Sequence, residues 1–281
     1  PEIFLINKNI KRNQGLKMGS GQKLYLRAKK VIPGGNMLLS KRPEMFLPEK
    51  WPSYFSKSKG CEVWDLDNKK FFDLSIMGIG TNILGYGHTE VDKEVIQNIK
   101  KGNMSTLNCP EEVMLAEKLL EINPWSRMVR FTRTGGEANA VAIRIARAAS
   151  GKDNIAVCGY HGWHDWYLSS NIAEDDNLSG HLLPGLEPKG VPKVLKNTTF
   201  TFEYNNIEQV KFLIKNKDIG VIKMEVMRNK VPKNNFLKEI RNLCSKHNIV
   251  LIFDECTTGF RTMYGGLHKK FDVIPDMALF G

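Results

Sequence analysis

Thr134, Gly135 and Gly136 join a short apolar segment to a run with helical spacing. In that run the apolar residues fall on one helix face: Ala138, Val141, Ala142, Ile145 and Ala149. The glycines therefore lie at a helix N-terminus, where backbone N–H groups and the helix dipole attract an anion, and Thr134 adds a hydroxyl donor. A phosphate group fits such a turn, although the spacing matches neither GxGxxG nor GxxxxGK[ST]. A tight turn without any ligand is the alternative.

Asp254 ends the apolar strand in "NIVLIFDECTTGFR" and precedes a turn of small residues. Open α/β sheets bind ligands at the carboxyl ends of their parallel strands. A carboxylate buried there requires a cationic partner, and a protonated pyridine nitrogen is one such partner. The alternative is a structural role for Asp254, as a helix N-cap or in a salt bridge to Arg261.

Aromatic and histidine side chains follow another predicted strand, in "CGYHGWHDWY". Tyr160 offers a flat face on which an aromatic ring can stack. His161 and His164 with Asp165 could instead suggest a metal site, but they lack a convincing third ligand, so we expect no metal.

The glycine turn, the tyrosine and the aspartate all follow apolar segments, so we expect them at one edge of the sheet. Together they offer a phosphate site, a stacking face and a partner for a ring nitrogen. These are the parts of pyridoxal 5′-phosphate (PLP), which the residues therefore predict as the cofactor.

Short apolar runs alternate with helical patterns along most of the chain, which favours an α/β fold with a mostly parallel sheet between helices. The predicted strands are Met128–Thr132, Ile155–Cys158, Thr198–Phe202, Val221–Glu225, Ile249–Phe253 and Met277–Phe280. The predicted helices include segments around 91–99, 111–122, 206–215 and 236–247. Before them, "GQKLYLRAKKVIPGGN" predicts a short helix, and "CEVWDLDNKKFFDLS" predicts a hairpin that turns at Asp67 and Asn68. The Gly/Pro-rich segment 174–190 predicts a loop on the active-site side.

The composition is that of an ordinary globular protein, with 281 residues of which 42% are hydrophobic. The net charge of +11 is spread over the whole chain and accompanies no nucleic-acid motif, so we expect no nucleic-acid partner. No apolar run is long enough to span a membrane and no signal peptide is evident, which favours a cytoplasmic protein. Five cysteines without a CxxC pair suit a reducing compartment.

Beyond these features, the chain resembles the class III (fold type I) PLP-dependent aminotransferases, and within them most resembles the glutamate-1-semialdehyde 2,1-aminomutase branch. The matching stretches include "RAKKVIPGGN", "NILGYGHTEV", "RTGGEANAVAIRIARA", "YHGWHDWY", "MEVMRN", "LIFDECTTGFR" and "PDMALFG". By this resemblance, Thr134, Gly135 and Gly136 bind the cofactor phosphate. It also implies that Tyr160 stacks on the ring, Asp254 pairs with the pyridine nitrogen, and Cys256 lies against the other ring face.

The resemblance also implies the domain organisation and the assembly. Residues 1–80 are expected to be an N-terminal helix and hairpin that belong to a smaller α+β domain, and residues 81–281 the large cofactor-binding domain. A homodimer is expected. The Schiff-base lysine of the family is expected just after Gly281, so the large domain is incomplete and the fragment is expected to be inactive alone. Lys269 and Lys270 are poor substitutes because they lie in a polar stretch before the last strand.

The substrate is less determined than the cofactor. Arg42, or Lys41, and Glu225 are the candidate substrate-binding residues, although "NMLLSKRPE" breaks the aminomutase register and Thr257 replaces the usual glutamine. We expect amino-group transfer on a small amino or keto compound, as in the aminomutase. The alternatives are an aminotransferase that acts on a keto-sugar or another carbonyl compound in surface-polysaccharide synthesis, and a non-catalytic homologue.

Overall fold

A computed structural model describes residues 18–173 and 188–281 of the chain. The chain divides into two compact units, one up to Met104 and the other from Ser105 to Gly281. This division lies beyond residue 80, the expected boundary between the small and large domains, and that expectation stays a prediction. Most of the loop predicted for 174–190 lies outside the described residues.

The first unit is built on an N-terminal helix and a small antiparallel sheet. Its elements are α1 (Ser20–Val31), β1 (Phe55–Lys59), β2 (Glu62–Asp65), β3 (Lys70–Phe72), the short α2 (Met77–Gly80) and α3 (Thr89–Lys100), with 3-10 turns at Pro33–Gly35, Leu39–Lys41 and Pro43–Met45. The strand order is β1-β2-β3, and both pairs are antiparallel. Asn68 takes a left-handed φ of 60° between β2 and β3, which suits an asparagine in a tight turn. The predicted helix and hairpin are thus confirmed.

The second unit alternates helices and strands. Its elements are α4 (Pro110–Ile122), α5 (Gly135–Ser150), β4 (Asn154–Cys158), α6 (Asp165–Leu168), α7 (Ser170–Ala173), β5 (Thr199–Thr201), α8 (Ile207–Asn216), β6 (Ile219–Glu225), α9 (Phe236–Lys246), β7 (Val250–Glu255) and β8 (Met277–Phe280), with 3-10 turns at Lys193–Leu195 and Leu267–Phe271. The strand order is β5-β4-β6-β7-β8, and all four pairs are parallel. The predicted α/β class with a parallel sheet is confirmed.

Apolar side chains cover both faces of this sheet. Alternate residues of the strands pack under α8 and α9 on one face, including Ala156, Ile222, Met224, Leu251 and Phe253. The intervening residues pack on the other face with apolar residues of α5, including Ile155, Val157, Val221, Ile252 and Leu279. Burial on both faces explains why the strands are nearly continuous apolar runs, and it leaves their ends as the places for polar chemistry.

The predicted strand Met128–Thr132 is wrong, because residues 126–132 have irregular backbone. Strands require a neighbour that pairs their N–H and C=O groups, and among the described residues β8 pairs only with β7. Met128 is 89% exposed, which also contradicts a place in the sheet. None of the described helices combines the length and the apolar composition that a membrane crossing requires.

Candidate active site at the carboxyl edge of the parallel sheet

The N-terminus of α5 forms the glycine turn. Thr134 is the N-cap residue, and its hydroxyl oxygen accepts a hydrogen bond from the N–H of Glu137 at 3.1 Å. The Glu137 carboxylate in turn accepts from the N–H of Arg133 at 2.8 Å, which fixes the entry of the chain into the helix. The amides of Gly135 and Gly136 occupy the first turn, where no carbonyl of the helix can accept from them. They are therefore the donors that this helix offers to an anion.

The loop after β4 packs so closely against this turn that a side chain at Gly136 would displace its neighbours. A Cβ atom at Gly136 would lie 3.0 Å from Cδ2 of His164. Gly162 approaches from the same loop with a φ of 96°, and a Cβ there would lie 3.1 Å from the Cα of Gly136. The structure thus brings the glycine turn and the "YHGWH" segment together, as the sequence predicts.

Asp254 lies at the end of β7 and is almost completely buried, with 4% exposure. Its Oδ2 accepts from Nδ1 of His161 at 2.9 Å and lies 3.4 Å from Nζ of Lys223, while Oδ1 accepts from the N–H of Cys256 at 3.2 Å. Burial alone would raise the pKa of Asp254, but the charge of Lys223 and the hydrogen bond from His161 outweigh it. The pKa therefore lies far below its ordinary value, and Asp254 is a carboxylate.

Lys223 is the cation beside Asp254, and it is not among the candidates predicted from the sequence. Its signal was a lysine inside the otherwise apolar strand "IGVIKME". Burial lowers the pKa of Lys223, and the neighbouring Asp254 opposes that shift. Arg261, the cation proposed for Asp254 from the sequence, donates to the carbonyl oxygens of Gly259 and Gly281.

His161 lies between the loop and the sheet, and is also buried. Its second ring nitrogen, Nε2, lies 3.1 Å from the carbonyl oxygen of Cys158. Burial and the charge of Lys223 lower its pKa. The Nδ1–H of His161 donates to Asp254, so that His161 orients the carboxylate.

Glu225 ends β6 directly beside Asp254 in the sheet register. Its carboxylate accepts from the N–H of Tyr160 at 3.4 Å and pairs with Arg228 at 3.5 Å. Gly159 allows this approach, since it has a φ of 106° and a Cβ there would lie 2.5 Å from Oε2 of Glu225. Burial raises the pKa of Glu225, and Arg228 counters the shift. The structure brings Glu225 to the site, and its role toward a substrate stays a prediction.

Tyr160 and Cys256 complete the candidate cofactor residues. The ring of Tyr160 is half-buried and meets Tyr167 edge to face, with centroids 6.3 Å apart. Tyr167 holds the loop in place through a hydrogen bond from its hydroxyl to the carbonyl oxygen of Gly159 at 2.7 Å. Cys256 lies against the glycine turn, because a Cβ at Gly135 would lie 3.7 Å from its Sγ. Burial raises the pKa of the Cys256 thiol to about 12, so it is a neutral group.

The remaining candidates lie elsewhere or serve other contacts. His161 and His164 are engaged with Asp254 and with the glycine turn, and the described residues contain no cluster of three or more possible metal ligands. Arg42 lies in the first unit, just before the turn Pro43–Met45, and its assignment to the substrate stays a prediction. Lys269 donates to the carbonyl oxygens of Ile122 and Tyr264.

The second unit therefore gathers at one sheet edge a helix N-terminus that can hold an anion, a half-buried tyrosine ring and a carboxylate kept ionised. This arrangement suits a ligand with a phosphate at one end and a basic aromatic nitrogen at the other. Thr134, Gly135, Gly136, Asp254 and Cys256, with the loop that carries Tyr160, are all part of it.

Comparison with known proteins gives a consistent result. The family model described as aminotransferase class-III matches residues 48–281. The 3-aminobutyryl-CoA aminotransferase of Cloacimonas acidaminovorans (strain Evry) is 34% identical over 275 residues, which are 95% of this chain and 62% of that protein. The glutamate-1-semialdehyde 2,1-aminomutase of Nitrosopumilus maritimus (strain SCM1) is 36% identical over 266 residues, 92% of this chain and 60% of that protein. A solved structure of a transaminase with PLP bound superposes on this chain with a TM-score of 0.80 at 25% sequence identity. The superposition covers 95% of this chain and 62% of the transaminase chain.

Proposed function

Because the chain belongs to the aminotransferase class III family, we propose that the protein binds PLP and transfers amino groups on a small amino or keto compound. The chain spans 62% and 60% of the lengths of the two curated relatives, so the proposal concerns the complete gene product that contains these 281 residues.

The residues at the sheet edge fit this cofactor. The amides of Gly135 and Gly136 and the hydroxyl of Thr134 would hold the phosphate, Tyr160 would stack on the ring, and Asp254 would pair with the ring nitrogen. Cys256 would lie against the ring as a neutral, weakly polar group. When bound, PLP supplies an electron sink that stabilises negative charge at the substrate carbon.

One observation carries the proposal: Asp254 is a buried carboxylate beside a glycine-lined helix N-terminus. Asp254 is 4% exposed and its pKa lies far below the ordinary value, so it presents a negative charge at neutral pH. Cys256 connects the two features, since its N–H donates to Asp254 and its sulfur faces Gly135. An anion site and a negative charge at one sheet edge suit a ligand that carries both phosphate and a cationic ring.

The type of amino transfer is the finer part of the proposal. We favour an aminomutase, which turns over a single substrate without an added donor or acceptor, and the similarity to the glutamate-1-semialdehyde 2,1-aminomutase of Nitrosopumilus maritimus supports it. An aminotransferase with two separate substrates is the second candidate, and the similarity to a 3-aminobutyryl-CoA aminotransferase supports it. Keto-sugars belong to the substrates to be screened for this second candidate.

The test begins with PLP binding to the complete protein, measured by equilibrium dialysis and by the absorption band of the bound cofactor. We expect one PLP per chain, and Asp254→Asn should weaken binding by about tenfold or more, since a hydrogen bond to a charged group contributes about 1.5–3 kcal/mol. Asp218→Asn, which changes an exposed aspartate of the same unit, is the matched control and should bind PLP as the wild type does.

Measurements of turnover then distinguish an aminomutase from a two-substrate aminotransferase. Conversion of glutamate 1-semialdehyde alone supports the aminomutase, whereas ping-pong kinetics with an amino donor and a keto acceptor supports the two-substrate aminotransferase. Absence of PLP binding would contradict the proposal. PLP binding without any amino transfer would leave a non-catalytic homologue.

A further inference from the structure

Lys223 is a buried charge in the middle of the sheet. All residues of β6 are buried, and Lys223 shares the α5 face of that strand with Val221. Its side chain is completely inaccessible to solvent, and among the described residues its Nζ has no well-aligned hydrogen-bond partner. The contact to Oδ2 of Asp254 at 3.4 Å is the ion pair that compensates this charge. Lysine is almost never fully buried without such a partner, so the position requires an explanation.

The groups around Asp254 leave it little spare negative charge. His161 already donates to the same oxygen, Oδ2, and Cys256 is a neutral thiol that faces both Asp254 and Lys223. Glu225 also faces this cluster from β6, but it is paired with Arg228. The carboxylate of Asp254 is thus balanced by Lys223 before any ligand arrives.

We propose that Lys223 is a positioning residue that competes with the ring nitrogen of bound PLP for the carboxylate of Asp254, and thereby makes that nitrogen less basic. The inference rests on the proposed function. A protonated ring nitrogen at Asp254 places two cations on one carboxylate, and one of the two must bind its proton less firmly. If Lys223 keeps its charge, the ring loses basicity directly. If Lys223 gives up its proton instead, the ring nitrogen loses less of its basicity. It still competes for a proton with the neutral amine of Lys223, which is a strong base.

An apolar residue at position 223 removes this competition. Asp254 would then be oriented by His161 and by the N–H of Cys256, and its negative charge would act on the ring nitrogen alone. We therefore expect the ring nitrogen to hold its proton to a higher pH in Lys223→Met than in the wild type. The shift should be about two pH units or more, the effect of one buried unit charge at a few ångströms in an effective dielectric of about 20.

The experiment uses the complete protein loaded with PLP that carries ¹⁵N in the ring, whose chemical shift distinguishes the protonated from the neutral nitrogen. The titration is followed in the wild type, in Lys223→Met and in Lys223→Gln, whose side chains are one atom shorter than that of lysine and carry no charge. Lys152→Met is the matched control, because Lys152 pairs with exposed Asp218. It should titrate as the wild type does. Circular dichroism and PLP stoichiometry establish that each variant is folded and loaded.

Higher titration midpoints in both neutral variants, with Lys152→Met unchanged, support the inference. Equal midpoints in loaded wild type and variants overturn it. If neither variant folds, the wild type decides alone, since a ring nitrogen that stays protonated at pH 9 would refute the competition and loss of its proton below pH 9 would support it. Failure of the wild type to bind PLP overturns the proposed function instead, so the two failures are distinguishable.

Discussion

The ion pair between Asp254 and Lys223 permits a stability prediction that needs no cofactor. Asp254→Asn keeps an oxygen that can accept from His161, but it leaves the ammonium of Lys223 buried and unpaired. At 3.4 Å two unit charges attract by about 5 kcal/mol at an effective dielectric of 20. Breaking a buried pair from one side typically costs about 3–5 kcal/mol. We expect a loss of that size in the free energy of unfolding of the apoprotein at pH 7.

The same loss has an upper bound, because Lys223 can deprotonate instead of remaining charged. A lysine with an unfolded pKa of about 10.4 gives up its proton at pH 7 for about 4.6 kcal/mol. Burial already lowers the pKa of Lys223, and removal of Asp254 lowers it further. The unfolded chain then binds one more proton than the folded chain, so stability rises with pH. The deficit of Asp254→Asn should accordingly shrink between pH 7 and pH 10, by at most about 1.4 kcal/mol per unit.

The assay is urea unfolding of the apoprotein, followed by circular dichroism at several pH values. The variants are Asp254→Asn, Lys223→Met and the double variant. The double variant should regain about 2 kcal/mol over Asp254→Asn at pH 7, and its deficit should lack the alkaline slope, because it contains no buried ammonium. The control cycle uses Lys152→Met and Asp218→Asn, whose 2.8 Å ion pair is exposed and should contribute about 1 kcal/mol or less. Additive losses in the buried cycle, with no pH dependence, would refute the reasoning.

Three further substitutions test the glycine turn and the buried carboxylate of Glu255, the last residue of β7. Gly136→Ala places a Cβ 3.0 Å from the ring of His164, so it should destabilise the protein by about 1–3 kcal/mol and weaken PLP binding, measured by urea unfolding and dialysis. Thr134→Ala removes the N-cap acceptor of α5 and should cost about 1 kcal/mol in the same unfolding assay, whereas Thr134→Ser should cost less. Glu255→Gln alters a fully buried carboxylate that accepts from Nδ1 and N–H of His268, both at 2.9 Å. This change should lower the thermal midpoint by an amount that corresponds to a loss of about 2 kcal/mol in the free energy of unfolding. An unchanged midpoint would contradict a stabilising role of the hydrogen bonds between His268 and Glu255.

The parallel sheet was predictable from the sequence because its strands are buried on both faces. The apolar run before Asp254 places the carboxylate at a strand end in any such fold, and β7 begins and ends within two residues of the prediction. The helix after Gly135 was also predictable from its spacing, but its buried face was not. The structure buries Asn139, Ala142, Ile143 and Ala146, whereas Ile145, expected on the apolar face, is 48% exposed. The local sequence therefore predicted the helices and strands. The position of the site residues directly after apolar segments predicted the sheet edge at which they meet.

Contacts between distant side chains were not predictable in this way. Lys223 was overlooked because a sequence does not give the register that places β6 beside β7. Residues 128–132 have the composition of a strand, but pairing depends on a neighbour that the local sequence does not specify. The lack of a side chain at Gly136 follows partly from the ring of His164, so the glycine reflects packing as well as a possible ligand.

The two carboxylates at the sheet edge, Asp254 and Glu225, are paired with cations that differ in their exposure to water. Glu225 and Asp254 are register partners on adjacent parallel strands, so their negative charges would repel each other without compensation. The side chain of Arg228 is 45% exposed, and water can screen it whether or not it remains beside Glu225. Lys223 has no access to water and can respond to a new charge only by changing its protonation or its contact with Asp254. A cationic ligand at this edge must therefore alter the Asp254 pair, while the Glu225 pair can adjust at little cost.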